Sequence, residues 1–448
     1  MPKARAQAHT PNAGKVTTSL GHSSTFRKIR HVVGSVLPLP LRRKINDRLN
    51  EVKWARLVQS KRRFRAGHKP GRAANAQPGV NLIAYIRAEM GLGVVARGMA
   101  AALEAASVPF NIINVESGNY SQHTDYSWAH KEVSRSDYDT TIVFMNPDQS
   151  LHLRSQVPAT LLGDRYVVAQ WYWELPELPD EWLKDFQFVD EVWAGSQFIS
   201  DAVSRKSPVP VVRIPPVVRL REEPGCDADL ARSQLGLPEN RFLFLAMFDT
   251  NSVLQRKNPL GVLRAFKAAF AGSDSSVGLV MKFNNPDYRE PLLQSVREEV
   301  DGRKNVFVID RVMSRPEVTS LIKVCDCFVS LHRSEGFGLG PAEAMSLGKP
   351  AIITNWSGNT DYMTADNCLP VDYELVQLGR DYGPYKAHQH WAEPDLAQAA
   401  QWMKRIALDA DLATRTGFAA QQTISLKFSP TVVGELIQER LRQIRNPK

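Results

Sequence analysis

Residues 334–352 read SEGFGLGPAEAMSLGKPAI. An apolar run, CDCFVSLH (325–332), precedes this stretch, and another, KPAIITN (349–355), closes it. The pattern predicts a strand, a loop with Gly336, Gly338 and Gly340, a helix starting near Pro341, and a second strand. Proline suits the first helical position because its missing N–H has no partner there in any case. The glycines let the backbone approach a ligand closely and turn free N–H groups toward it. The helix N-terminus adds partial positive charge, so a diphosphate is the natural occupant. Glu335 and Glu343 flank this loop. A carboxylate repels a bare phosphate, so the two acids make sense as acceptors for hydroxyl groups on either side, ribose at one and a sugar at the other. Acid, glycine loop, acid therefore points to a nucleotide-sugar more than to a nucleotide alone.

Moving outward, the same grammar repeats. VNLIAYI (80–86) runs into a glycine loop, MGLG (90–93), then a helical stretch, VVARGMAAALEAASV, then FNIINV (110–115). TTIVFMNP (140–147), RYVVAQWYWEL (165–175), DEVWAGS (190–196) and VPVVRIPPVV (209–218) continue the series. After a polar stretch, RFLFLAMFD (241–249), VGLVMKF (277–283) and NVFVID (305–310) begin a second series, with NPLGVLRAFKAAF as a helix. Strands alternating with helices predict parallel α/β sheets. The expected organisation is an N-terminal Rossmann-like domain over 78–218, a linker over 219–235 and a C-terminal Rossmann-like domain over 236–428. A last helix over 429–448 is expected to pack back toward the N-terminal domain. Ser429-Pro430 opens it as cap and first turn, with Val432, Leu436, Leu441 and Ile444 on one face.

The net charge of +9 is unevenly spread. Residues 1–75 hold 18 Lys and Arg against two acids, Asp47 and Glu51, so the globular remainder is net negative. A basic surface for nucleic acid across the fold is not expected. Residues 1–77 read as a basic leader, polar and disordered to about residue 25, with amphipathic helical patterns over 26–65 that could lie on an anionic membrane surface. The competing reading is a solvated basic extension. No run is apolar enough to span a bilayer and the start lacks a secretory core, so a cytoplasmic protein, peripheral at most on the inner membrane face, is expected. Cys325 and Cys327 read as reduced core thiols, two apart on one strand face, with no second pair to complete a metal site. Asp137-Tyr138-Asp139 and Asp227-Ala228-Asp229 have an Asp-x-Asp spacing that can hold a metal, but one precedes a strand and one lies in the linker. Both read as solvated acids, and no metal or other cofactor is expected.

The Glu335–Glu343 segment resembles the Glu-x7-Glu signature of the group 1 family of retaining, GT-B-fold glycosyltransferases. The likeness runs through most of 236–425 and more weakly back to about residue 79. It implies an α/β GT-B architecture of two tandem Rossmann-like domains with a C-terminal helix, here behind a basic N-terminal extension. It implies that Glu343 binds ribose hydroxyls and that Glu335 contacts and positions the donor sugar. The loop between them, Gly336, Phe337, Gly338, Leu339 and Gly340, would hold the donor. FDTNSVLQRKNPLGVLRAF (248–266) is similar to the family's loop with an arginine and, five residues on, a lysine for the diphosphate. Lys257 falls at the lysine position, while Ser252 stands where the arginine is usual, and the adjacent Arg256 could supply the second charge.

WSGNTDYM (356–363) resembles the family's second glycine loop, with Gly358 and Asn359 near the nucleotide and Asp361 where a glutamate is usual. MGLGVVAR (90–97) resembles the glycine loop that faces the cleft, with Gly91, Gly93 and Arg97 on the acceptor side. WYWELPELPDEW (171–182) occupies the region where many members place a histidine. None is present, which leaves that role vacant or to Glu174, and the tryptophans read as core or as an acceptor wall. The FD-x-x-S-x-x-x-RKNP pattern resembles a bacterial subgroup that builds surface polysaccharides such as lipopolysaccharide, mannosyl transfer included. The implied activity is metal-independent, retaining transfer of a hexose-type sugar from a nucleotide-sugar to a glycan or lipid-linked acceptor. The rivals are an inactive GT-B scaffold that binds a nucleotide-sugar or glycan, and, within the fold, a sugar-nucleotide epimerase or a phosphorylase.

Overall fold

The computed structural model describes Val52, Gln59 and residues 76–448, apart from residues 120, 137, 151–152, 154–155, 158, 220–231, 271–275, 287–290 and 447–448. The leader's helical patterns, most of the linker, Asp137 and the Asp227/Asp229 pair therefore lie outside the described residues.

Two six-stranded parallel sheets carry the fold. The first holds β1 (Gln77–Ala84), β2 (Phe110–Asn114), β3 (Tyr138–Phe144), β4 (Tyr166–Trp171), β5 (Glu191–Ala194) and β6 (Val211–Arg213), in the order β2-β1-β3-β4-β5-β6. The second holds β7 (Phe242–Asp249), β8 (Val277–Asn284), β9 (Val306–Ile309), β10 (Cys327–Ser330), β11 (Ala351–Thr354) and β12 (Leu369–Val371), ordered β12-β11-β10-β7-β8-β9. This is the α/β GT-B architecture. The longer helices are α1 (Gly91–Ala105), α2 (Gln197–Ser204), α3 (Pro259–Ala269), α4 (Pro291–Val300), α5 (Arg315–Val324), α6 (Leu339–Ser346), α7 (Leu396–Leu408), α8 (Ala410–Phe428) and α9 (Pro430–Arg445).

The strands are near-continuous apolar runs because both faces of each sheet are covered. In β7, Phe244, Ala246 and Phe248 enter one core while Leu243 and Leu245 enter another. The expected strand at 209–218 shrinks to three residues, since Pro210, Pro215 and Pro216 have no N–H for a ladder. The reading of 80–86 and 110–115 as strands holds, but the helix between them starts at Gly91, inside the expected loop. Strand β12 and an antiparallel hairpin, β13 (Tyr373–Gln377) with β14 (His390–Pro394), were not expected from the sequence.

Helix α9 completes the core of the first sheet. Val433, Ile437, Leu441 and Ile444 join Val80, Leu82 and Leu103 there, and Gly434 lies so close to α1 that an added Cβ would sit 2.4 Å from the Ala102 carbonyl. The buried face is only partly the expected one: Leu441 and Ile444 are inside, but Leu436 is 45% exposed and Val432 only half-buried. The reason is a register set by two ion pairs. Arg440 holds the fully buried Glu191, and Arg445 holds Asp139 at 2.9 and 3.0 Å. Asp139 is thus a buried residue of β3 with an arginine partner, not a solvated acid.

The thiol reading also needs correction. Cys325 caps α5 and belongs to the core that includes Phe328, whereas Cys327 on β10 faces the opposite core with Val329. The strand begins only at Cys327, so the two thiols do not share a strand face. Burial pushes the Cys325 thiol up to about 12 and Cys327 higher still, so both stay protonated.

Candidate functional site

In the second sheet the chain order reverses between β7 and β10, and loops from the carboxyl ends of such neighbouring strands form a crevice. The loop after β7 carries Ser252, Arg256 and Lys257, and the loop after β10 carries Ser334 and Glu335. They are laced together: Arg333 N–H donates to the Arg256 carbonyl at 2.7 Å, and Asn258 Nδ2 donates to the Leu331 carbonyl at 2.9 Å. Asn258 tolerates its left-handed backbone, φ 56°, and caps α3 by accepting from Gly261 N–H.

Glu335, 9% exposed, meets both cations. Lys257 Nζ pairs with Oε1, and Arg256 Nη1 lies 3.1 Å from Oε2. Burial alone would raise the Glu335 pKa, but Lys257, Arg256 and His332 outweigh it and pull the carboxyl down to about 2. Arg256 is 3% exposed and donates to the Ser334 carbonyl at 2.6 Å and Ser252 Oγ at 2.9 Å. Burial opposes its charge, yet Tyr385, Glu335 and Glu174 together hold it above its ordinary range. The charge missing at Ser252 thus arrives at the same hydroxyl from Arg256.

Glu343 is placed apart from this cluster. It pairs with Arg315 and lines a cleft of about 710 Å³ between the two sheets' domains, with Met313 on its own side and Arg97, Asp125 and Trp128 opposite. Arg315, at the start of α5 behind the Ser314–Glu317 capping box, was not singled out from the sequence. The Ser-x-x-Glu spacing marks the helix start, but nothing in it says which way Arg315 turns.

The glycine loop serves protein packing as well as any ligand. Gly338, φ 82°, caps α6, which starts at Leu339, so Pro341 is its third residue rather than its first. An N–H there is still without an intrahelical partner, so proline costs nothing. A Cβ on Gly358 would sit 1.9 Å from the Gly336 carbonyl, so the two glycine loops touch backbone to backbone. The Gly336 carbonyl also accepts from Ser196 Oγ at 2.6 Å, and a Cβ on Gly340 would meet Phe328 at 3.1 Å. Phe337 points into the core, its ring tilted 5.3 Å from Tyr362 and edge-on 5.4 Å from Phe428, and Leu339 is half-buried between two cores. The Phe337 side chain is therefore turned to the core, while Leu339 stays partly exposed.

Asn359 is fully buried: Oδ1 lies 2.9 Å from His332 Nε2, and Nδ2 donates to the Thr354 carbonyl at 2.8 Å. It holds the second glycine loop against β11 through Thr354 and against the end of β10 through His332, a histidine not singled out from the sequence. Burial lowers the His332 pKa, which favours a neutral ring. Asp361 Oδ2 accepts from the Gln197 N–H at 3.0 Å, joining this loop to the start of α2.

On the N-terminal side, Gly91 is open, whereas a Cβ on Gly93 would lie 2.1 Å from the Ala88 carbonyl. Arg97 braces that loop, donating to the Ile86 and Ala88 carbonyls at 2.8 and 3.1 Å and pairing with Asp125 at 2.9 Å. Glu174 crosses to the Glu335 cluster. Its Oε1 is 3.8 Å from Arg256 Nη2, its Oε2 accepts from Tyr385 Oη at 2.9 Å, and its carbonyl accepts from Ser334 Oγ. Trp171, Trp173 and Trp182 are buried against one another, so they are core.

Residues 228–368 match the family model for glycosyl transferases group 1. No curated protein matches the sequence. Solved structures similar to it include the HepE protein of Anabaena in complex with UDP and glucose, 15% identical, covering 82% of this chain and 100% of that one with a TM-score of 0.57. Sucrose-phosphate synthase from Thermosynechococcus elongatus is 15% identical, with 82% and 99% covered and a TM-score of 0.59. A glycosyltransferase from Rickettsia africae is 15% identical, with 83% and 100% covered and a TM-score of 0.58. At such identity these neighbours speak for the fold, and the family match speaks for the segment that carries Arg256, Lys257, Glu335 and Glu343. Residues 228–368 are thus similar to the group 1 glycosyltransferases, within a chain that takes the GT-B fold.

Proposed function

We propose that this glycosyltransferase is a retaining, metal-independent enzyme that moves a hexose-type sugar from a nucleotide-sugar to a glycan or lipid-linked acceptor of a bacterial surface polysaccharide. The observation that carries the reading is Glu335 held ionised between Lys257 and Arg256 where β7 and β10 part. A departing nucleoside diphosphate gains negative charge, and fixed cations aimed at that position lower the barrier. Lys257, with 24% of its side chain exposed, is the cation that can turn from Glu335 to the diphosphate, while Arg256 stays locked behind it. One fixed cation, one that can turn, and a helix N-terminus would supply the charge that a metal would otherwise bring. Glu343, in the wider cleft, suits ribose hydroxyls, which would exchange with Arg315.

The test uses the full chain with UDP-glucose and GDP-mannose in the presence of EDTA, following release of nucleoside diphosphate. Turnover in the wild type and its loss in Glu335→Ala support the reading. Equal rates in both would sink it, and donor binding without turnover would select the inactive scaffold. For the leader, whose structure is outside the described residues, the proposal is binding to anionic lipid through 26–65. Vesicles with anionic lipid should pull down the full chain at low salt but not a chain starting at residue 76, and equal recovery would remove the idea. No helix among the described residues is long and apolar enough to cross a membrane.

A further inference from the structure

Hairpin β13–β14 lies beyond the residues that match the family model and reaches back across the cleft. Gln389, 5% exposed, donates from Nε2 to the Glu177 carbonyl at 3.0 Å. The Tyr385 ring packs 5.3 Å from Trp173, and its hydroxyl donates to Glu174 Oε2 at 2.9 Å. At the hairpin's base, Arg333, two residues from Glu335, pairs with Glu393 and donates to the Gln255 carbonyl at 2.6 Å. One element therefore holds both a residue beside the Arg256–Lys257 loop and the carboxylate that faces that loop from the other domain.

The charges give this arrangement a purpose. Arg256 is flanked by two carboxylates, Glu335 at 3.1 Å and Glu174 at 3.8 Å, and Lys257 holds Glu335 from the far side. Glu174 keeps 24% of its side chain exposed, so it has lone pairs left for a ligand. A carboxylate on a flexible side chain would collapse onto the nearest cation. A buried phenol donating to one oxygen prevents this and leaves the other directed at the site. The long gap between Glu174 and Arg256 shows that the acid has not closed onto the guanidinium.

We propose that Tyr385 is a positioning residue, which fixes Glu174 so that its carboxylate accepts hydroxyls of the transferred sugar from the side opposite Glu335. The proposal rests on the donor reading given above. Tyr385→Phe removes only the hydroxyl and keeps the ring against Trp173.

The test compares wild type, Tyr385→Phe, Glu174→Gln and the double variant in the full chain. Calorimetry gives the affinities for UDP and UDP-glucose and for GDP and GDP-mannose, and steady-state release gives kcat and KM. Tyr385→Phe should hold the affinity for the nucleoside diphosphate within about twofold and cut the preference for the sugar-bearing form about tenfold. Glu174→Gln should do the same, and the double variant should be no worse than either, because the two act as one unit. A wild-type preference that survives Tyr385→Phe, or effects that multiply in the double variant, would overturn the inference and leave the donor reading standing. A wild type that binds none of the four probes would overturn the donor reading and this inference with it.

Discussion

The Arg256 guanidinium lies 2.9 Å from the Ser252 hydroxyl, so a residue four positions along supplies the charge absent at 252. The pair is unequal, because the Ser252 hydroxyl accepts one hydrogen bond while Arg256 compensates the buried Glu335. Arg256→Met should leave that carboxylate with a single cation and destabilise the fold by about 3–5 kcal/mol. Ser252→Ala should cost about 1 kcal/mol. Urea denaturation of the two variants checks the contrast, and similar midpoints would remove Arg256 from the buried network.

The depressed pKa of Glu335 predicts an acid limb in stability. Its folded value of about 2 lies below the ordinary 4.5, so its contribution is complete above about 4.5 and disappears as the pH falls through about 2. The amount at stake is on the order of 3 kcal/mol. Glu335→Gln should be less stable at neutral pH, and its gap to the wild type should close as the pH falls through that window. Denaturation midpoints at pH 2–7 measure it, and parallel curves for variant and wild type would contradict the assignment.

Two glycines two residues apart should respond oppositely to alanine. Gly91 has open space where a Cβ would go and sits at the first position of α1, so Gly91→Ala should stabilise by about 0.4–1 kcal/mol. Gly93→Ala places a Cβ 2.1 Å from the Ala88 carbonyl, and backbone cannot give way cheaply. It should cost about 1–3 kcal/mol. Thermal melting of both variants decides this, and equal tolerance would mean that the loop moves freely against α1.

The C-terminal helix offers a similar contrast. Leu441 is 1% exposed in the core of the first sheet, and Leu436 is 45% exposed. Leu441→Ala should destabilise by about 2–5 kcal/mol, and Leu436→Ala by no more than about 0.5 kcal/mol. Chemical denaturation separates them. A large effect at Leu436 would mean that it packs against the core as Leu441 does.

What the sequence determined by itself was everything that a local pattern encodes. Apolar runs set every strand of the two sheets except β12, because a strand covered on both faces has few polar positions to spare. The Glu335–Glu343 segment was legible as strand end, glycine loop and helix start because those signals lie within a few residues of one another, whereas the meeting of Lys257 with Glu335 spans 78 residues. The tertiary structure alone decided which distant groups meet. Tyr385 reaches Glu174 across 211 residues, and Arg445 reaches Asp139 across 306. No local pattern encodes such pairs, since they depend on sheet order and on how a hairpin and a terminal helix fold back. For the same reason Phe337, inside the most readable segment of the chain, turned to the core: its direction is set by Tyr362 and Phe428, which only the folded chain brings beside it.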